Sequence, residues 1–407
     1  MINDEYKIYW IWLQKVLKYG SNKVSYIAQN YESAKHFYDV GERDWRLSGI
    51  FTSKEIRDML NAKISDARKI YNRCKELGYK IVTYQDEEYP DRLKNIQNPP
   101  CVLYVSGSAE ILNGNNTSVS IVGTRNATVY GMNTAFEMGL NLAKLGVTIV
   151  SGGAIGIDTA AHNGAVKGGG KTVAVLACGI NYDYLKTNAS LRNVIAQNGA
   201  LVSEYPPDYP VYSSNFIIRN RIVAGMSLCT LVVEAGEKSG SLITANLALD
   251  QNRDVFVTVP HDVEVETSKG VMSLIRDGAK VVTDAEQIFK EYNQDYSKSF
   301  ESKFKVKKIR DELIEKAAKN MQFTEFAEEI KISKPDLKKQ NVKKFPEGLS
   351  EEAEKVYNSL GDKKYHIDEL SVILDMPIKN LLQIMTELEI FSLVKSYSGR
   401  MYEKIKF

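Results

Sequence analysis

Short apolar segments alternate with longer, more polar ones through the middle of the chain, and this alternation limits the possible folds more than any other feature. The apolar segments cover residues 118–123, 147–153, 171–179, 200–205, 229–236 and 254–260. Strands that are apolar along their whole length are buried on both faces, which is typical of a mostly parallel sheet with helices on each side. The sequence therefore predicts an α/β fold for the central half of the chain.

Small residues lie where ligands bind in open α/β sheets, beyond the carboxyl ends of the strands. They form the turns Gly123-Thr124-Arg125, Ser151-Gly152-Gly153-Ala154 with Gly156, and Ser239-Gly240-Ser241. Glycine lets main-chain N–H groups approach an anion, and a helix that starts at such a turn adds the positive end of its dipole. A single turn of this kind is weak evidence for a ligand, because glycine is also used where the backbone only has to turn tightly. Three together predict a phosphate-binding surface in an extended Rossmann-like domain over residues 85–290.

Two common nucleotide-binding motifs are absent from the sequence. The chain has no G-x-x-x-x-G-K-[ST] motif, and the run from Gly152 to Gly156 does not match G-x-G-x-x-G. A nucleoside triphosphatase or a typical dehydrogenase is therefore disfavoured, and we expect no cofactor. The four histidines are too dispersed for a metal site to be predicted from their spacing.

A cluster of aromatic residues and arginines follows the segment 200–205. Its members are Pro206, Pro207, Tyr209, Tyr212, Phe216, Arg219, Asn220 and Arg221. Aromatic side chains stack with bases while arginines neutralise the backbone, so the cluster favours single-stranded nucleic acid as the ligand. In the alternative interpretation, Phe216 belongs to the core and the arginines pair with Glu204 or Glu234.

The flanks of the central domain differ from it in pattern. Residues 1–84 show helical apolar spacing and predict a small helical domain. Residues 291–349 are rich in lysine and predict a basic linker with some helix. Residues 350–407 predict three short helices and a hairpin over 393–405 that turns at Ser398-Gly399, which together indicate a winged helix.

Charge and cysteine usage narrow the class of protein further. The 53 basic and 51 acidic side chains leave a net charge of +2, so any affinity for nucleic acid must be local. The four cysteines are scattered and predict buried free thiols. The sequence contains neither a signal-like segment nor an apolar run long enough to span a membrane, so we expect a cytoplasmic protein with no membrane partner.

The central domain resembles the DprA/Smf DNA-processing proteins, which are bacterial factors in natural transformation and DNA recombination. The resemblance covers residues 88–284. The residues that carry it are Tyr89-Pro90, Leu93, Pro99-Pro100, Ile121–Arg125, Tyr130-Gly131, Ser151–Asp158, His162, Ser203-Glu204, Phe216, Arg219–Arg221, Val233–Ala235, Ser239–Ala245, Val255-Phe256 and Val259-Pro260.

The resemblance implies a Rossmann-like core that binds single-stranded DNA, forms a homodimer and loads RecA onto the strand as a mediator rather than as an enzyme. By position, Arg125 would hold the DNA backbone, Phe216 would contact a base, and the glycine turns would supply main-chain donors. The family plan adds an N-terminal SAM or helix-hairpin-like domain and a C-terminal winged helix. It also suggests the helix near residues 269–278 as a dimer contact.

The sequence departs from the family pattern close to the predicted strand-binding residues. Ser213-Ser214-Asn215 stands where relatives often have a lysine, which removes one expected phosphate contact. Ile217 and His261 also replace a usual proline and a usual glycine, respectively. We expect these two changes to leave the fold intact.

Two other functions remain open at the level of sequence. Asp158 and His162 lie four residues apart, and Glu204 and Glu234 end strands, so a Rossmann-like hydrolase of a nucleotide-derived ligand is one alternative. A protein-interaction adaptor with a vestigial anion site is the other. Only a nucleic-acid binder would lose affinity steeply as salt rises.

Overall fold

The structure is a computed structural model of the 407-residue chain. It describes residues 5–112, 117–184, 188–293, 351–361, 364–374, 376, 378–390, 393–397 and 401–405. These residues fall into two compact units, one within residues 1–320 and the other within residues 321–407. In these ranges no helix is long and apolar enough to cross a membrane.

A nine-stranded sheet forms the centre of the first unit, in the order β1-β2-β6-β5-β4-β3-β7-β8-β9. Its strands are β1 (Lys80–Thr83), β2 (Val102–Gly107), β3 (Ser118–Val122), β4 (Thr148–Ser151), β5 (Thr172–Leu176), β6 (Ala200–Ser203), β7 (Cys229–Val232), β8 (Asp254–Thr258) and β9 (Lys280–Val282). In that order, the seven neighbouring strands β6, β5, β4, β3, β7, β8 and β9 run parallel to one another. Strands β2 and β1 pair antiparallel at one edge of the sheet. The predicted α/β class and mostly parallel sheet are confirmed.

Helices cover both faces of this sheet, and its strand order reverses between β3 and β7. The helices that follow the first edge strand are α6 (Asp91–Lys94), α7 (Val129–Lys144), α8 (Ile157–Lys167), α9 (Ala189–Asn198), α10 (Ser213–Gly225), α11 (Gly240–Asp250), α12 (Glu266–Arg276) and α13 (Ala285–Asn293). In an open sheet, ligands bind at such a reversal, where loops from neighbouring strands diverge.

Five helices precede the sheet: α1 (Tyr6–Leu17), α2 (Val24–Asn30), α3 (Ala34–Leu47), α4 (Ser53–Asn61) and α5 (Ile64–Glu76). Their apolar faces share one continuous core with the sheet, in which Trp12 and Leu13 join the same cluster as Tyr104 and Leu201. Because of this shared core, the packing leaves no gap at the predicted domain boundary near residue 84. Strand β1 already lies before that boundary.

The sequence pattern reproduces the six central strands from β3 to β8 but misses β1 and β9. Both missed strands lie at an edge of the sheet, and β9 spans three residues of which Lys280 and Val281 are exposed. Both strands are short, and each has only two consecutive apolar residues, Ile81-Val82 in β1 and Val281-Val282 in β9, so they lack the long apolar run that marks a central strand.

The second unit contains α14 (Glu351–Ser359), β10 (Lys364–His366), α15 (Ile367–Ile373), α16 (Ile378–Ile390), β11 (Val394–Tyr397) and β12 (Met401–Lys404). Its three strands pair in the order β10-β12-β11, around a core that includes Leu370, Leu381 and Leu388. Three helices and the β11-β12 hairpin match the predicted winged helix, and β10 is an additional strand. The predicted hairpin turn at Ser398-Gly399 and nearly all of the predicted linker lie outside the described residues.

Candidate nucleic-acid interface

A cleft of about 290 Å³ opens at the carboxyl ends of β3, β4 and β7, where the strand order reverses. Ten of the residues predicted from sequence line it: Gly123, Thr124, Arg125, Gly152, Phe216, Arg219, Asn220, Ser239, Gly240 and Ser241. Three turns that are distant in sequence therefore meet at one site, because parallel strands end at the same edge of the sheet.

The turn after β3 is fixed against the end of β7. The N–H of Thr124 donates to the carbonyl oxygen of Glu234 across 2.7 Å. Gly123 is needed for this approach, since a Cβ atom there would lie 2.5 Å from Ile157 Cγ1 and 2.8 Å from the same carbonyl oxygen. The first turn is thus a rigid wall that places Arg125 at the cleft.

The turn after β4 is held from inside by a carboxylate of the chain itself. Oδ2 of Asp158 accepts hydrogen bonds from the N–H of Gly152 at 3.0 Å and of Ala154 at 3.3 Å. Burial raises the pKa of Asp158 above its ordinary value, while the charge of Arg219 opposes that change. The sequence suggested that this turn would supply N–H donors to a phosphate, but Asp158 occupies the Gly152 donor.

Arg219 supports the same turn from the opposite side. Its Nη1 donates to the carbonyl oxygen of Gly152 at 2.6 Å and also to that of Val175. The side chain is buried, and burial lowers the pKa of its guanidinium. Arg219 lines the cleft, but its Nη1 is committed to main-chain carbonyls, and its Nε donates to Oδ1 of Asn220 at 3.3 Å.

Arg125 and Phe216 form the exposed part of the cleft. The guanidinium carbon of Arg125 lies 4.7 Å from the centroid of the Phe216 ring, which is within the range of a cation–π contact. The Tyr184 ring is 5.7 Å from Phe216 at a 57° angle. Arg125 forms no ion pair within the part of the chain that the structure describes. A cation and a partly exposed aromatic ring are therefore presented together.

The third turn starts helix α11, whose amino end faces the cleft. Oγ of Ser239 caps the helix by accepting from the N–H of Ser241 at 3.4 Å. Gly240 is the first helical residue, and a Cβ atom there would meet no other atom within 4 Å. Nδ2 of Asn220 donates to the carbonyl oxygen of Gly240 at 3.2 Å, which ties α10 to α11.

Three predicted residues lie outside the cleft lining. Arg221 is buried and pairs with Glu204, with Nη2 at 2.7 and 2.8 Å from the two carboxylate oxygens. For Arg221, the structure therefore matches the alternative interpretation given above, in which an arginine pairs with Glu204 instead of contacting a strand. Ser151 is buried and donates to the carbonyl oxygen of Ile121, and Gly153 is buried with a φ of +67°.

The residues considered for acid–base chemistry do not act together in this geometry. Nδ1 of His162 lies 2.7 Å from Oγ1 of Thr172, whereas Asp158 bonds the turn after β4. Burial lowers the pKa of His162 to about 3, with a smaller contribution from the Arg219 charge. Glu234 accepts from the N–H and the hydroxyl of Thr128 at the start of α7. The hydrolase alternative therefore loses the pairing on which it depended.

The predicted site residues did not include Val122, Ala154, Val223 and Thr244, which line the cleft, although all of these but Val223 lie within the motifs that carry the family resemblance. They also did not include Tyr184, whose ring lies beside Phe216, or Asn188, whose Nδ2 donates to the carbonyl oxygen of Gly153. Thr244 lies one helical turn after Gly240, so helical spacing alone would have indicated it. Tyr184 and Asn188 lie on a connection between a strand and a helix, where no sequence period reveals which neighbours they meet.

The comparison with known families rests on two separate matches along the chain. The model of DNA recombination-mediator protein A matches residues 80–293, and the model of the DprA winged helix domain matches residues 343–400. The chain belongs to the DNA recombination-mediator protein A family. The first match spans the whole sheet and every residue of the cleft, which confirms the resemblance found in the sequence.

Individual members of the DprA family support the same assignment. DNA processing protein DprA of Bacillus subtilis is 38% identical over 229 residues, which cover 56% of this chain and 76% of that protein. Protein Smf of Synechocystis is 29% identical over 99% of this chain and its own full length. The crystal structure of DprA from Streptococcus pneumoniae is 30% identical and covers 72% of this chain and 99% of its own, with a TM-score of 0.61.

Proposed function

We propose that this member of the DprA family binds single-stranded DNA in the cleft at the carboxyl edge of the sheet. The observation that carries the proposal is the contact between Arg125 and Phe216, 4.7 Å from guanidinium to ring centroid. One residue offers a positive charge to the strand's backbone and the other an aromatic face to a base. Any base can stack on an aromatic ring, so the combination of Arg125 and Phe216 suits a strand of arbitrary sequence.

The surrounding turns suit a phosphate next to that base. Thr124, Arg125 and the amino end of α11 at Gly240 all line the cleft. First-turn N–H groups of a helix have no acceptor within the helix, and the helix dipole favours an anion there. Arg219 acts indirectly in this scheme. It donates to the carbonyl oxygen of Gly152 and so fixes the turn after β4, which forms the floor of the cleft.

A duplex is a poorer ligand for such a site. Its bases are already stacked and paired, so presenting one to Phe216 costs unstacking free energy. The net charge of +2 also supplies little general attraction to DNA. Single-stranded DNA is therefore expected to bind more tightly than duplex DNA of the same length.

The finer role that we assign is that of a mediator in the cytoplasm, which transfers the bound strand to the recombinase RecA during transformation or recombination. The family match to DNA recombination-mediator protein A supports this role. The protein acts as a homodimer, with α12 (Glu266–Arg276) as the candidate contact between subunits. Catalysis is not part of this assignment.

Fluorescence anisotropy with labelled oligo-dT and a matched duplex tests the binding step. We expect preference for oligo-dT, and a loss of about 100-fold or more in affinity for Arg125→Glu, because a charged hydrogen-bond donor becomes a repulsive carboxylate. Arg43→Glu is the control, since Arg43 is exposed on α3 and does not line the cleft. Equal binding by folded Arg125→Glu and wild type would refute the assignment.

Salt dependence separates DNA binding from the adaptor alternative. Each neutralised phosphate contributes about −0.7 to the slope of log affinity against log salt for a single strand. A slope near zero would favour the adaptor.

RecA filament growth tests the mediator step. On strands coated with single-strand-binding protein, filament growth should accelerate with this protein and not with Arg125→Glu. No acceleration by wild type would remove that step and leave DNA binding standing.

A further inference from the structure

Tyr212 is an exposed aromatic residue four positions before Phe216, and the site described above does not use it. It immediately precedes α10 and is 54% exposed. Its side chain makes no capping hydrogen bond to the helix that it precedes. A large ring in this position is available to a ligand.

The ring of Tyr212 is anchored to the core through a row of tyrosines. It contacts Tyr209 edge-on at 5.8 Å, and Tyr209 is stacked on buried Tyr205 at 5.1 Å with a 22° angle between the planes. Tyr205 in turn lies 4.4 Å from Tyr19. An anchored ring loses little conformational freedom when a ligand covers it, so more of the contact free energy contributes to binding.

The segment that carries this row is itself fixed. The N–H of Gly179 donates to the carbonyl oxygen of Tyr209 at 2.8 Å, and the N–H of Asn181 donates to that of Pro207 at 2.9 Å. The loop before α10 is thereby joined to the loop after β5, which also carries Tyr184 beside Phe216. Tyr212 and Phe216 therefore belong to one supported surface.

The spacing between Tyr212 and Phe216 suits two neighbouring bases. Tyr212 is the extended residue immediately before α10 (φ −128°, ψ 149°), and Phe216 is the fourth residue of that helix, so about one helical turn of chain separates them. Between them, Ser213 and Ser214 are exposed and uncharged, and Asn215 is buried with its amide bound to the carbonyl of Ala177. No charged side chain separates the two rings along this turn.

We propose that Tyr212 is a stacking platform for the base next to the one that contacts Phe216, so that the strand leaves the cleft over the amino end of α10. This inference rests on the proposed binding of single-stranded DNA and adds a second base position to it. The occupant is a nucleobase, because the path continues directly from the Phe216 ring.

Affinity measurements with oligo-dT test the platform. Loss of one stacked base is expected to lower the affinity of Tyr212→Ala by about 5- to 100-fold. Tyr212→Phe keeps the ring and should bind within about twofold of wild type. Ile217→Ala is the matched control, because Ile217 is also 54% exposed on α10 but does not line the cleft. Its affinity should equal that of wild type.

A spectroscopic readout distinguishes contact from an indirect effect. The three native tryptophans are buried, so a Tyr212→Trp variant carries one exposed reporter. Stacking of a base on it should quench its emission as oligo-dT is added. If Tyr212→Trp binds without quenching and Tyr212→Ala binds like wild type, the platform is wrong while strand binding stands. If wild type itself fails to bind oligo-dT, both proposals fall.

Discussion

The guanidinium of Arg219 donates a hydrogen bond across 2.6 Å to the carbonyl oxygen of Gly152, a residue 67 positions earlier in the chain. On the other side of the same peptide segment, Asp158 accepts from the N–H of Gly152. The turn after β4 is thus fixed through both its donor and its acceptor. The cleft has a rigid floor before any ligand arrives, which reduces the free-energy cost of ordering it on binding.

Arg219 and Arg125 should therefore differ sharply when each is replaced by alanine. Arg219→Ala leaves two main-chain carbonyls without their donor and should lower the free energy of unfolding by about 2–4 kcal/mol. Arg125→Ala removes an exposed side chain and should change it by less than about 0.5 kcal/mol. Urea denaturation followed by circular dichroism measures both. Similar stability losses in the two variants would contradict the division between supporting and contacting arginines.

The buried pair of Glu204 and Arg221 should affect stability rather than DNA affinity. Arg221→Met leaves a buried carboxylate without its partner and is expected to cost about 3–5 kcal/mol. The double variant Glu204→Leu with Arg221→Met should recover part of that loss, since it removes the uncompensated charge as well. Denaturation gives the stabilities, and anisotropy on the folded double variant should return wild-type affinity for oligo-dT. A large loss of DNA affinity in the folded double variant would instead indicate that Arg221 contacts the strand.

Gly240→Ala tests whether a ligand approaches the amino end of α11. The added methyl group meets no protein atom within 4 Å, so the thermal midpoint should stay near that of wild type. If a strand lies against this turn, the methyl group displaces it, and loss of a charge-assisted hydrogen bond lowers affinity by about 10- to 100-fold. Leu249→Ala, at the exposed far end of the same helix, is the control and should leave DNA binding unchanged. Wild-type affinity in Gly240→Ala would exclude α11 from the interface.

His162 should make the protein less stable in mild acid. Its pKa falls from 6.5 to about 3 on burial, so between these values the unfolded chain binds a proton that the folded chain does not. The free energy of unfolding should consequently decrease as pH falls below about 6.5, by about 1.4 kcal/mol per pH unit from this group. His162→Gln lacks the titration, so the difference between the two proteins should shrink steadily from pH 6.5 to pH 4.5. A difference that does not vary with pH would contradict the buried neutral imidazole.

The sequence was most informative where structure depends on contiguous residues. The central strands β3 to β8 are buried on both faces, so each appears as an unbroken apolar run. The turns at Gly123 and Gly152 follow the runs of β3 and β4 directly, and Gly240 follows the run of β7 after a short loop. The common edge of parallel strands was therefore enough to predict that the three turns meet. The edge strand at Lys80–Thr83 has no such run and was missed.

The roles of individual side chains depended on packing that is not written in any local pattern. Arg219 and Arg221 are two residues apart on α10, which at 100° per residue places them on nearly opposite sides of the helix. The sequence could not say which side meets the floor of the cleft and which meets Glu204. Likewise, Asp158 is a helix residue whose use of the Gly152 N–H appears only when α8 docks beneath β4.

By itself, then, the sequence determined the α/β class, the family and the edge of the sheet where small residues collect, because strands, turns and motifs are properties of neighbouring residues. The tertiary structure decided which arginine supports the turn, which one pairs with Glu204, and that Arg125 reaches the ring of Phe216. Those contacts join residues far apart in the chain, and only the docking of helices onto the sheet brings them within hydrogen-bond or cation–π distance.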